Sequence, residues 1–118
     1  VHARAVGQWR KALGDIVVEG GSRDEMTNFY TAPYHTKLTP NLMSDVNGEY
    51  RRHDQTVARM PEGKSYYSTF SLWDTFRAWN PLQTLVDTAL VNDMIRSMLD
   101  MYDSTGELPI WPLARRAR

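Results

Sequence analysis

The chain has 118 residues, enough for one domain or a piece of a larger one, and its 42% hydrophobic share supports a core and excludes wholesale disorder. Basic and acidic residues balance at 14 each, which leaves no electrostatic footprint for nucleic acid or an anionic membrane surface. No apolar run approaches the roughly 20 residues of a membrane-spanning helix, and without cysteine there is neither disulfide nor thiolate chemistry, which leaves the compartment open. The chain starts at Val1 with no charged-then-apolar leader, as expected for a processed product or an excised segment.

Val6, Trp9, Leu13 and Ile16 recur at helical spacing, and Gly14 marks the end of that first helix. Ile16-Val17-Val18 is a brief extended piece closed by Gly20-Gly21. Ser22, with Glu25 three residues on, predicts a capping box at the start of a second helix. Met26, Phe29 and Tyr30 supply its apolar face. Pro33 sits inside the pattern and removes a helix hydrogen bond, so the helix either kinks near Thr31 or divides into two pieces.

From Leu42 to Tyr67 the texture becomes β-like. Asn47-Gly48 reads as a two-residue hairpin turn, because both positions tolerate positive φ, with Tyr50, Val57, Tyr66 and Tyr67 as strand residues around it. Pro61-Glu62-Gly63 is a second turn. Leu72, Phe76 and Trp79 then share a helical face, and Asn80-Pro81 breaks that helix and starts another. Leu90 to Tyr102 is the clearest helix, with Val91, Met94, Ile95, Met98, Leu99 and Tyr102 as its apolar positions and Ser104-Thr105-Gly106 as its end. Leu108 to Pro112 is a proline-bounded extended loop, and Arg115-Arg116-Ala117-Arg118 a solvated basic tail.

Chemistry concentrates in Ser71-Leu72-Trp73-Asp74-Thr75-Phe76-Arg77. An indole covers the C–H face of a sugar while a neighbouring carboxylate accepts hydrogen bonds from its hydroxyls, and such charge-assisted bonds are stronger than neutral ones. Arg77, one helical turn beyond Asp74, is placed to hold that carboxylate ionised and oriented. The competing reading is that Asp74 only favours a helix start. Trp111 is a second candidate platform, or a core plug. His35 and His53 lack partners at metal-ligand spacing, and Asp45, Asn47 and Asp54 lack the calcium-loop pattern, so turn formation accounts for them better. No phosphate loop or nucleophile elbow is present.

Several long segments, in order, resemble the catalytic domain of glycoside hydrolase family 92. They are Phe29-Tyr30-Thr31-Ala32, Tyr34-His35-Thr36, Pro40-Asn41-Leu42, Ser44 through Arg51, Tyr66 through Ala78, Asn92-Asp93 through Asp103, and Gly106 through Ala114. The resemblance implies that residues 1–118 are part of that domain: mainly α, a fragment of an (α/α)6 toroid, with an inserted β-hairpin region over about 42–67. It implies a calcium-dependent exo-α-mannosidase, often α-1,2-specific, acting with inversion on mannose-containing glycans and secreted or periplasmic. The family's general acid and base, and most of its calcium contacts, lie downstream of the Leu-Pro-x-Trp loop. No catalytic residue or metal ligand is therefore expected in this chain. What carries over is Trp73-Asp74 as a sugar-contacting pair, with Trp111 beside it and Arg77 orienting. Pro33 departs from the family pattern, as does the terminal Arg115–Arg118, for which truncation, a frame change or divergence would each account. The isolated chain is expected to hydrolyse nothing. The alternative from another class is a stand-alone carbohydrate-binding or interaction module. Oligomeric state is not legible.

Overall fold

The computed structural model describes residues 1–68 and 70–109. About half of the chain is helical, and a two-stranded antiparallel sheet is its β component. The chain divides into two compact units, Val1–Thr39 and Pro40–Arg118. No helix among the described residues is long and apolar enough to cross a membrane.

The first unit pairs helix α1, His2–Leu13, with helix α2, Arg23–Thr36. Gly14 ends α1 and Ser22 caps α2, both at the positions expected from local sequence. The capping box is complete: Ser22 Oγ accepts from the Glu25 amide at 3.3 Å, and Glu25 Oε2 accepts from the Ser22 amide at 2.7 Å. The Ser22 amide and hydroxyl hold the Glu25 carboxyl below its ordinary range. Its contribution is therefore present above the ordinary glutamate pKa and lost as pH falls through the lowered one. Ser22→Ala is expected to cost about 1 kcal/mol of helix stability, read as faster hydrogen exchange over the first turn of α2. Protection of the Ser22 amide, relative to its intrinsic exchange rate at each pH, should likewise fall as Glu25 is protonated.

The helix does not divide at Pro33. Residues 23–36 form one element: Pro33 falls in the last turn, so the one amide bond it forgoes leaves the preceding turns intact. That turn is closed by short-range bonds from Lys37 N to Tyr34 O (3.1 Å) and Leu38 N to His35 O (3.3 Å), and by Thr36 Oγ1 donating to Pro33 O (2.7 Å). The rings of Trp9 and Tyr34 meet at 4.9 Å. Neither helix fully buries a residue. A groove of about 620 Å³ runs along α1, lined among others by Val6, Trp9, Leu13 and Tyr30.

The second unit holds strands β1, Glu49–Arg51, and β2, Val57–Arg59, then helices α3, Leu72–Thr75, α4, Trp79–Val86, and α5, Thr88–Thr105. Tyr50 lies opposite Ala58 in the antiparallel register. The hairpin does not turn at Asn47-Gly48. Those residues close a tight turn ahead of β1, with Gly48 N donating to Asp45 O at 2.9 Å, while the strands are joined through residues 52–56. There Asp54 Oδ1 accepts from both the amide (2.9 Å) and the hydroxyl (2.6 Å) of Thr56, and Gln55 takes a positive φ of 74°. Asn47 Oδ1 likewise accepts from the Glu49 amide at 3.0 Å, so Asn47 and Asp54 both act as turn formers. The Pro61–Gly63 turn forms as expected, with Lys64 N donating to Pro61 O at 3.0 Å.

The break before α4 falls at residues 76–78 rather than at Asn80-Pro81, and Pro81 occupies the first turn of α4, where its missing N–H costs nothing. Asp87 joins α4 to α5: its amide bonds back to Gln83 O and its carboxylate accepts from Leu90 N at 3.1 Å. Gly106, left-handed at φ 75°, ends α5 by donating to Tyr102 O at 2.7 Å.

The core of this unit is Tyr50, Met60, Tyr66 and Met101, with Ala58 packed against it. The rings of Tyr50 and Tyr66 stack with centroids 3.8 Å apart. The buried face of α5 is Asp93, Met94, Ser97 and Met101, of which only Met94 belongs to the apolar stripe that periodicity selects. Of that stripe Ile95 is 45%, Leu99 54% and Tyr102 49% exposed. The reason is the packing partner. A chain segment with backbone amides to satisfy lies against α5, and it requires polar acceptors.

Candidate functional site

Segment 65–68 carries the chain toward α3 and is bonded on both edges. On one side Met43 N donates to Tyr66 O (2.8 Å), Ser68 N to Asn41 O (2.9 Å), and Leu42 pairs with Tyr67 as a bridge. Tyr66 N also donates to Ser44 Oγ at 3.1 Å. On the other side Ser65 N donates to Asp93 Oδ2 (3.0 Å) and Tyr67 N to Ser97 Oγ (2.9 Å). Asp93 also accepts from Arg96 at 3.0 Å and lies 3.8 Å from Lys64. A second carboxylate of α5, Asp100, takes two bonds from Arg52, at 3.0 and 2.6 Å, tying the hairpin loop to the helix. Burial raises the pKa of Tyr50, with a further push from Asp100, and burial likewise raises that of Tyr66. Both phenols therefore stay protonated at neutral pH.

Beyond this braced segment, buried Phe70 packs on Trp79 of α4 with ring centroids 4.9 Å apart. Ser71 then starts α3, a single turn, with Thr75 Oγ1 donating to Ser71 O at 2.9 Å. Trp73 is 77% exposed, and Asp74 beside it is exposed with no cation bound to it among the described residues. An α3 of one turn offers little dipole for a carboxylate to complement. Trp73 and Asp74 are consecutive residues of this one exposed turn.

Arg77 stands elsewhere. Its guanidinium lies 5.4 Å from the centroid of the Phe76 ring, and no Asp74–Arg77 ion pair forms. The expected orienting contact is replaced by a cation–π contact, because α3 ends at Thr75 and helical spacing no longer carries Arg77 back over Asp74. Trp111 and the basic run Arg115–Arg118 lie outside the described residues. Among the described residues no group of three His, Cys, Asp or Glu side chains is placed to hold a metal ion. Sequence reasoning missed the Asp93–Ser97–Asp100 ladder. Its signal was the i, i+4, i+7 spacing of three small polar residues inside an otherwise apolar helix.

The described residues make a helical piece with a short hairpin, which presents Trp73 and Asp74 at the surface beyond a braced segment. The glycosyl hydrolase family 92 catalytic domain matches residues 1–118, and the chain belongs to that family. It is similar to the family GH92 α-mannosidase BT3965 from Bacteroides thetaiotaomicron, with 38% identity and a TM-score of 0.81 over 92% of this chain and 15% of that one. The same enzyme in complex with mannoimidazole matches with the same identity and TM-score, over 14% of its length. The GH92 family glycosyl hydrolase ccman5 matches at 27% identity and a TM-score of 0.73, over 89% of this chain and 15% of that one. Comparison with curated proteins gives no match. The chain thus spans about one seventh of the length of the solved enzymes it resembles.

Proposed function

We propose that this chain forms part of the substrate wall of an exo-α-mannosidase that removes terminal α-mannose, preferentially α-1,2-linked, from glycans outside the cytoplasm. The observation that carries this reading is the 38% identity to an α-mannosidase solved with mannoimidazole. In the whole enzyme the helices belong to an (α/α)6 toroid, Asp74 accepts hydrogen bonds from hydroxyls of the terminal mannose, and Trp73 and Trp111 shape its pocket. Inversion needs an acid on the leaving oxygen and a base on water, with carboxyl groups roughly 6.5–9.5 Å apart. Both groups, and most ligands of a sugar-binding calcium, lie on parts of the enzyme other than the residues described. Those residues offer no cluster of His, Cys, Asp or Glu suited to the ion.

The test is release of mannose from α-1,2-mannobiose by the longest native form containing these residues, with calcium and with chelator. Release that chelation abolishes and calcium restores is expected. Release unaffected by chelation would remove calcium from the reading, and a folded, full-length form inert toward every α-mannobiose linkage would remove the mannosidase. The 118-residue chain alone is expected to release nothing.

A further inference from the structure

We propose that Asp93 and Ser97 are positioning residues that set the register of segment 65–68 and thereby place the Trp73-Asp74 pair; the inference rests on reading that pair as a sugar contact. Ser65 and Tyr67 direct their amides to α5, while Tyr66 and Ser68 direct theirs to residues 41–44. Two residues of extended chain span about 6.6 Å, and the four residues from Asp93 to Ser97 rise about 6 Å along a helix. The two acceptors are therefore matched to alternate amides of a strand-like segment.

Ser97 is fully buried, and its hydroxyl donates to Asp93 O at 2.7 Å. That bond fixes the hydroxyl proton and leaves a lone pair for Tyr67. An apolar helix face would bury the same segment without choosing among registers. Acceptors at this spacing do choose, because a slip of one residue turns each amide to the wrong edge. The same slip takes Tyr66 out of its stack on Tyr50 and carries the following residues along by about 3.3 Å. A reacting sugar held by Trp73 and Asp74 does not tolerate such a shift, since displacements near 1 Å already cost about a hundredfold in rate.

The experiment uses Ser97→Cys, which keeps the shape but weakens the acceptor, and Asp93→Asn, which keeps an acceptor oxygen but removes the charge. In the longest native enzyme, Ser97→Cys should raise KM for α-1,2-mannobiose about tenfold with a smaller change in kcat, and speed hydrogen exchange at the Tyr67 amide while α5 amides stay protected. Asp93→Asn should shift KM and Ser65 exchange in the same direction but by less, since the amide keeps one acceptor oxygen for Ser65 and loses the charge that strengthens the bond. Unchanged KM and Tyr67 exchange in Ser97→Cys would overturn the proposal. So would a Ser97→Cys loss confined to melting temperature. If Ser97→Cys fails to fold, Asp93→Leu decides by the same KM and exchange at Ser65. Asp74→Asn is measured alongside. Full activity there overturns the sugar-contact reading and this inference with it, whereas loss there with an unaffected Ser97→Cys overturns the positioning role alone.

Discussion

Asp74→Asn is expected to lower kcat/KM on α-1,2-mannobiose by roughly 10²–10³ while leaving the melting temperature unchanged. A carboxylate gripping neighbouring hydroxyls makes two charge-assisted bonds, each worth about 1.5–3 kcal/mol. The amide keeps one acceptor oxygen and presents an N–H₂ where the second acceptor stood. A loss of roughly 3–4 kcal/mol follows, at 1.36 kcal/mol per decade of rate. Stability should be indifferent, because Asp74 is exposed and no cation among the described residues depends on it. Activity loss accompanied by unfolding would instead return Asp74 to a structural role at the start of α3. A fully active variant would remove it from the sugar site.

The largest stability effect is expected at Tyr66. Truncating this ring, 2% exposed and stacked on Tyr50, should cost about 3–5 kcal/mol by analogy with other large aromatic deletions, read from the midpoint of urea unfolding. Tyr66→Phe should do the opposite. The Tyr66 hydroxyl has no partner among the described residues, and a buried hydroxyl without one carries a desolvation cost of about 1–3 kcal/mol. Removing the oxygen while keeping the ring should therefore hold or raise stability. A phenylalanine variant as damaged as the alanine one would mean that the hydroxyl, not the ring, anchors this core.

Helix ends were the most legible features in the sequence, because capping is local chemistry. Ser22 with Glu25, and Gly106 after Thr105, act at the predicted places. The hairpin was legible as a region but not as a turn. Asn47-Gly48 does turn the chain, one step ahead of β1, and the loop that joins the strands depends on Asp54 and a left-handed Gln55, a combination with no strong signature. The face of α5 was misread because hydrophobic periodicity registers only apolar burial. Asp93 and Ser97 are buried because they satisfy amides from distant positions, 28 and 30 residues away in sequence. Trp73-Asp74 was visible as a pair of residue types, and the exposure of both is what the fold adds. The Arg77 contact failed for a local reason: the helix that would have returned it to Asp74 is one turn long.

Asp87 also governs where this part of the chain tolerates a change of length. One residue closes α4 through its amide and opens α5 through its carboxylate, leaving no slack between the helices. An insertion there would rotate α5 by about 100°, turning Asp93 and Ser97 away from the amides they hold. The loop at residues 53–55 and the turn at 61–63, both at the surface, carry no such constraint. Length variation among working relatives is accordingly expected at those two tips and barred at the α4–α5 elbow.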